Sequence, residues 1–196
     1  MTKFIKNIKK ESLYRSWSRL DKYTFDFLRE DGAWEAQQRE VYDRGDGAAV
    51  LLFNPRKGTV ILTRQFRLPT FLNGNSNGML VEACAGALDG DDPYVCILRE
   101  IEEETGYRIE KVKKVFEAYM SPGSVTEILH FFTAEYSDEM RVSGGGGVGA
   151  EQEYIEVLEY DLEKAYSMIA DGLIKDGKTI MLLQYAKLNS LCESNI

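Results

Sequence analysis

The chain has 196 residues, 44% of them hydrophobic, and a formal net charge of −8. That length fits one full domain, or a domain with an appendage, and the apolar content suffices for a sizeable core. The acidic balance argues against nucleic acid and against an anionic membrane, because both require a basic footprint on the protein.

The first residues, "MTKFIKNIKKESL", are basic but carry no apolar run of the kind a secretory signal needs. No stretch of the sequence approaches the length that spans a bilayer. "KYTFDFLRE" places Tyr23, Phe25 and Phe27 on one face of an expected strand. Asp31-Gly32 is a hairpin turn signal, and "AWEAQQREVYDRG" is the return strand. This hairpin, ending near Tyr42, is expected to pack on the main domain or to exchange with a partner subunit. "AAVLLFN", the turn "PRKG" and "TVILTRQFR" form a second hairpin, and "MLVEAC" a further short strand. Beyond Gly106, "KVKKVFEAYM", "TEILHFFTAEY" and "EYIEVLEY" also read as strands. Three helices are expected. They are Pro93 to Thr105, then "DLEKAYSMIADG" with Asp161 as N-cap and Gly172 just past its end, and last "KTIMLLQYAKLNSL". Mixed strands with few helices indicate an α+β layered domain. The one low-complexity piece is "SGGGGVGAE", Ser143 to Glu151. Cys84, Cys96 and Cys192 form an odd set without metal-type spacing, which fits a reducing cytoplasm. The single histidine, His130, falls in a strand-like run and reads as structural.

The expected helix ending in "REIEEETG" contains a conflict. Glu100, Glu102, Glu103 and Glu104 crowd its C-terminal end, where the macrodipole disfavours each added acid by roughly 0.3–1 kcal/mol. The helix itself is well marked. Asp91 and Asp92 precede Pro93, which puts an N-cap residue before a proline at the first helical position, and Tyr94, Ile97, Leu98 and Ile101 make an apolar stripe. Gly106 supplies the stop. On this helix Glu100, Glu103 and Glu104 share a side, Glu102 points elsewhere, and Arg99 reaches Glu103 four residues on. A solvated charged face is one reading. The other is a site for a hard cation such as Mg²⁺, which takes oxygen ligands and keeps waters. Violations of local rules concentrate at functional sites.

"GALDGDDPYVCILREIEEETGY" resembles the Nudix box, G-x5-E-x7-R-E-U-x-E-E-x-G-U with U aliphatic. Gly86, Arg99, Glu100, Ile101, Glu103, Glu104 and Gly106 match it. Asp92 replaces the first glutamate, the spacer to Arg99 is one residue short, and Tyr107 ends the box. "REVYDRGDGAAVLL", "RQFR", "CAG", "YMSPG", "EILHFFTAEYSD" and "GLIKDGKT" are together similar to the GDP-mannose pyrophosphatase branch of the Nudix hydrolases.

That resemblance implies a Nudix αβα sandwich of mixed β-sheets. Residues 1–43 would supply N-terminal strands for dimerisation and substrate contacts, and residues 44–196 the hydrolase domain. It implies a cytoplasmic homodimer acting on a nucleoside diphosphate sugar, with Mg²⁺ as cofactor and Mn²⁺ as an alternative. Glu100, Glu104 and the Ala85 carbonyl would hold the metal, with Glu103 as an outer group or extra ligand and Arg99 orienting the glutamates. Glu153, or else Glu151, would join the site as base from the glycine-rich loop, read as a lid. Arg39, Glu40, Arg67 and Lys178 match substrate-contacting positions, and Gln38, Gly86, Ala87, Glu127 and Gln152 flank or extend them. Trp17 would stack on the base or else fill a core. Pro122 of "YMSPG" resembles a marker of nucleotide-sugar enzymes. The alternatives are an ADP-ribose or other NDP-sugar pyrophosphatase, or a lapsed domain that senses a nucleotide.

Overall fold

A computed structural model describes residues 4–149 and 152–192. The chain divides into two compact units. One takes the described residues up to Asp46 together with Tyr119–Ile128, and the other takes Gly47–Ala118 and the described residues from Leu129 onward.

The first unit is an antiparallel sheet of β1 (Ile5–Arg15), β2 (Arg19–Leu28) and β3 (Trp34–Asp43), in that order. The β2–β3 turn is the one expected at Asp31-Gly32, with Gly32 at φ +82°. Sequence reading passed over β1. Register shifts between Lys6 and Lys9 and between Ser12 and Tyr14 break its two-residue period, and Asn7 takes a left-handed conformation at φ +55°. The segment after Pro122 adds to the end of β3, with the Tyr42 N–H donating to the Ser124 carbonyl and the Thr126 N–H to the Tyr42 carbonyl. Among the described residues of this unit no apolar side chain is fully buried, and Phe4, Ile8, Leu13, Tyr14, Trp17, Phe27 and Trp34 are exposed.

The second unit is built on β4 (Gly47–Asn54), whose continuous apolar run is buried on both faces. β4 lies between β5 (Thr59–Phe66) and β9 (Ile128–Glu135), antiparallel to the first and parallel to the second. β8 (Lys113–Tyr119) and β10 (Glu156–Asp161) complete the row β10-β5-β4-β9-β8. One face of β4, with Ala48, Val50 and Leu52, packs on Ile97 of α2 (Pro93–Glu100) and on Ile101 directly after it. The other side of the sheet is covered by α3 (Leu162–Ala170) and α4 (Gly177–Leu188), with Phe131 and Tyr185 both in ring contact with Phe116. Helices on both faces of a mixed sheet make the expected α+β sandwich. Burying a side chain such as Ile97 or Leu182 contributes about 1.5–3 kcal/mol. A short helix that the sequence did not announce, α1 (Leu68–Leu72), follows β5. Asp161 takes the N-cap position of α3 without a side-chain bond, and the Leu162 N–H goes instead to the Gly58 carbonyl. No helix among the described residues is long and apolar enough to cross a membrane.

"MLVEAC" is two strands, not one. β6 (Met79–Glu82) pairs with β5, and β7 (Cys84–Ala87) pairs with β4. The chain changes partner at Ala83, whose N–H leaves the ladder and donates to Thr179 Oγ at 2.6 Å. Opposite β7, Gly47, Ala48 and Ala49 face Ala87, Gly86 and Ala85, a run of small residues that leaves room above the sheet for other side chains.

Candidate active site

α2 begins as its sequence requires. Pro93 is at its start, and the Asp92 carboxylate accepts from the Tyr94 N–H at 2.9 Å. Its buried stripe is Cys96, Ile97 and Ile101. Tyr94, expected on that stripe, is largely outside it and donates its hydroxyl to the Glu110 carbonyl. The end of the helix differs from expectation. Ile101–Thr105 form a π-helical turn, and the Thr105 hydroxyl bonds back to the Ile101 carbonyl at 2.5 Å. Single π turns of this kind recur at functional sites. Gly106 stops the helix at φ +77°.

The four glutamates meet three different surroundings. Glu102 turns outward, as expected, and takes two hydrogen bonds from Arg108 at 2.9 and 2.7 Å. The Arg99 guanidinium lies 3.3 Å from Glu100 Oε1, 4.0 Å from Glu103 Oε2 and 3.7 Å from Asp91 Oδ2. Arg99 therefore ties three acids together. Glu104 is only 2% exposed and accepts from the Ala85 N–H at 3.3 Å and from the Cys84 thiol. Burial pushes its carboxyl up to about 8, the neighbouring charges of Glu100 and Glu153 push the same way, and the two hydrogen bonds pull against them. Burial, and then the charge of Glu104, also raises the Cys84 thiol well above the ordinary value.

The glycine-rich loop is not the free lid that its composition suggests. Its described part docks on the end of the acidic helix. The N–H groups of Gly147 and Gly146 donate to the carbonyls of Glu103 and Glu104 at 3.0 and 2.9 Å, and that of Val142, just before the loop, donates to the Gly106 carbonyl at 2.8 Å. These are the carbonyls a helix end leaves without partners. Gly145, Gly146 and Gly147 all have positive φ. A Cβ on Gly145 would lie 2.5 Å from the Glu104 carbonyl oxygen. The same loop returns to Glu153, whose Oε2 accepts from the Val148 N–H at 3.4 Å.

Glu100, Glu104 and Glu153 thus bring negative charge to one place beside Ala85 and Gly86. A Cβ on Gly86 would lie 2.3 Å from the carboxyl carbon of Glu100, so the glycine makes space for that acid. Among the described residues no three acid, histidine or cysteine side chains close into a cage. An open set of hard oxygen donors around a buried, reluctantly ionised carboxylate fits Mg²⁺, which keeps waters and takes further oxygens from phosphates. It does not fit a soft metal, for which thiolates would be required.

The other expected residues divide between the units. Trp17, Gln38, Arg39, Glu40 and Glu127 lie in the first. Trp17 is 78% exposed on the β1–β2 connection, which removes the core alternative. Arg39 lies opposite Tyr23 and Glu40 opposite Lys22, so the two point to opposite faces of the sheet and Gln38 shares the face of Glu40. Glu127 is 3.6 Å from the Arg44 guanidinium. Arg67, Ala87, Gln152 and Lys178 lie in the second unit. The Ala87 carbonyl accepts from the Cys96 thiol at 3.2 Å, and Gln152 has φ +60°. Glu151 lies outside the described residues. His130 lies on β9 with Nδ1 3.3 Å from Glu117 Oε2.

Sequence reading missed Glu82. It joins Arg67 and Lys178, which are the two cations expected near substrate in this unit. Its one signal was a lone acid inside the apolar strand "MLVEAC", since a buried charge requires partners.

A mixed sheet between helices, one of them carrying the clustered acids, is the arrangement the box led one to expect. A NUDIX domain matches residues 43–181, and the chain belongs to the Nudix family. Residues 4–42 match the GDP-mannose pyrophosphatase NudK N-terminal domain. The chain is 57% identical over 187 residues to a GDP-mannose pyrophosphatase of Yersinia enterocolitica, covering 95% of this chain and 97% of that one. It is 59% identical over 179 residues to one of Pectobacterium atrosepticum, covering 91% and 92%, and 56% identical over 185 residues to one of Yersinia pestis, covering 94% and 92%.

Proposed function

We propose that the chain is a divalent-cation-dependent nucleotide-sugar pyrophosphatase that hydrolyses GDP-mannose to GMP and mannose 1-phosphate. The observation that carries this reading is the buried Glu104 carboxyl with Glu100 and Glu153 beside it, an arrangement that is unfavourable until a cation enters. The names of the relatives point to the same substrate.

Glu100, Glu104, Glu153 and the Ala85 carbonyl would hold Mg²⁺, or Mn²⁺ in its place. When bound, the metal supplies positive charge at the pyrophosphate oxygens. The chain's own residues do the remainder. Arg99 fixes the directions of Glu100 and Glu103. Glu153, which accepts from the Val148 N–H, would take a proton from the attacking water. Glu151 is the alternative base. The leaving group is a phosphate and needs little acid help. Arg67 and Lys178 meet anionic parts of the substrate, with Gly86, Ala87 and Gln152 alongside. Trp17, Gln38, Arg39, Glu40 and Glu127 would be further substrate contacts. The three free thiols suit a reducing cytoplasm.

Hydrolysis of GDP-mannose, GDP-glucose, ADP-ribose and ADP-glucose with and without Mg²⁺, with products identified, tests this directly. GDP-mannose should give the highest kcat/KM, and GMP and mannose 1-phosphate should appear together. Release of GDP and free mannose would reject pyrophosphate cleavage, and binding without turnover would leave a sensor.

Gly86→Ala should lower kcat/KM by about 10²-fold, the usual effect of displacing a reacting group by about 1 Å. Its melting temperature should stay close to that of the wild type, because the obstructed atoms are the far end of a flexible side chain. Unchanged kinetics would remove Glu100 from the site.

The exposed apolar residues of the β1–β3 sheet support a homodimer joined through that unit. Ile8→Asp combined with Leu13→Asp should convert a dimer into a monomer in sedimentation equilibrium and reduce turnover with it. A monomeric variant with normal kinetics would reject the part of this unit in catalysis.

A further inference from the structure

Glu82 is 3% exposed at the end of β6. Both of its oxygens are committed. Oε2 accepts from Arg67 Nε at 2.7 Å, and Oε1 accepts from Lys178 Nζ at 2.5 Å. Arg67 directly follows β5, and Lys178 stands in the first turn of α4, so one acid joins two distant parts of the chain. Lys178 also lies 3.1 Å from Asp176, the N-cap of α4, whose carboxylate accepts from the Thr179 N–H at 3.0 Å and from its hydroxyl at 2.5 Å.

The docking of α4 does not need Glu82. The same helical turn is already tied to the neighbouring residue by the 2.6 Å bond from the Ala83 N–H to Thr179. A buried ion pair is also a poor stabiliser compared with apolar residues of the same volume. What Glu82 alone achieves is to fix two cations side by side. Arg67 bonds through Nε and its side chain stays 40% exposed, which leaves its terminal amines open to an anion.

We propose that Glu82 is a positioning residue for the substrate: by holding Arg67 and Lys178 as a rigid pair of donors, it builds the seat for an anionic part of a nucleotide sugar. This rests on the reading of the chain as a nucleotide-sugar pyrophosphatase. The paired cations supply charge-assisted bonds, and Arg67 gives them direction. Without Glu82, Arg67 must be ordered by the ligand itself and Lys178 is held by Asp176 alone, and the lost order weakens binding.

The test is Glu82→Gln, which keeps the shape but leaves one oxygen for two cations. KM for GDP-mannose should rise about tenfold, roughly the effect of one lost charge-assisted bond, with kcat changed less than KM. In an Arg67→Met, Lys178→Met background the same substitution should alter KM less than about twofold, because the interaction it removes is already gone. An unchanged KM, or an equal rise on both backgrounds, overturns the proposal. If Glu82→Gln does not fold, Glu82→Met restores the packing and carries the same expectations. GDP binding measured by calorimetry separates this inference from the function itself. No hydrolysis by the wild type would sink the enzyme reading, and equal GDP affinity in wild type and variant would sink the role of Glu82.

Discussion

Glu104→Gln should lower the turnover of GDP-mannose by on the order of 10³-fold and raise the melting temperature of the cation-free protein at pH 8. The two effects share one cause. The glutamate carboxyl has an ordinary value of 4.5 and is pushed up to about 8 in the folded chain. Between these values the folded chain binds more protons than the unfolded one, so this group makes stability fall as pH rises from about 4.5 towards 8. Glutamine mimics the protonated form and removes that loss, as well as the ligand. Melting curves in EDTA at pH 5 and pH 8 should therefore show the wild type losing more between the two pH values than the variant does. Added Mg²⁺ should stabilise the wild type and not the variant, since only the former gains by binding. Near-normal turnover in the variant would sink the metal assignment. A variant less stable than the wild type at both pH values would sink the argument from burial.

Gly145→Ala is the second severe change, for a reason that lies entirely in the backbone. Its Cβ would be 2.5 Å from the Glu104 carbonyl oxygen and 2.6 Å from the Thr105 carbonyl carbon, at φ +66°. The left-handed conformation alone costs about 1–2 kcal/mol for a residue with a Cβ. The neighbours are main chain of the π turn and have no rotamer to escape into, so the loop must lift. The hydrogen bonds from Gly146 and Gly147 to the acidic helix then go with it. Urea unfolding should show a loss of about 3 kcal/mol, from strain and buried carbonyls left unpaired. Mg²⁺ affinity should fall as well. Gly144→Ala is the control, because its Cβ would meet nothing. Equal behaviour of the two variants would show that the loop is not held as described.

The acidic helix was legible because its signals are local. Asp92, Pro93, the apolar residues and Gly106 lie within one stretch, and each acts on its near neighbours. The separation of Glu102 from the other acids followed from helix geometry in the same way. The π turn was not legible, since the extra residue in its hydrogen-bonded ring leaves the composition unchanged. The bulges of β1 hid a strand by erasing its alternation. The glycine run was misread because conformational freedom in the unfolded chain resembles freedom in the folded one. Only the opposing carbonyls of the helix reveal that the positive φ values are used for docking. Glu82 was hidden by distance, since its partner Lys178 is 96 residues away and no local pattern links them. The charge conflict at the helix end is relieved unevenly. Arg99, Arg108 and the glycine loop relieve most of it, and the remainder falls on Glu104 alone.

The change of partner at Ala83 has a consequence for what this scaffold can measure. Glu82 anchors the cation pair, and Ala85 meets Glu104 three residues further along one extended segment. Three residues of chain span at most about 10 Å, a limit set by covalent geometry. Side-chain substitutions can alter how tightly either end grips, but they cannot alter the interval. The segment behaves as a gauge block, and only an insertion or deletion within it would recut the length. Substrates that differ in the distance between their gripped and cleaved ends would then be distinguished by reach, before any base or sugar is read.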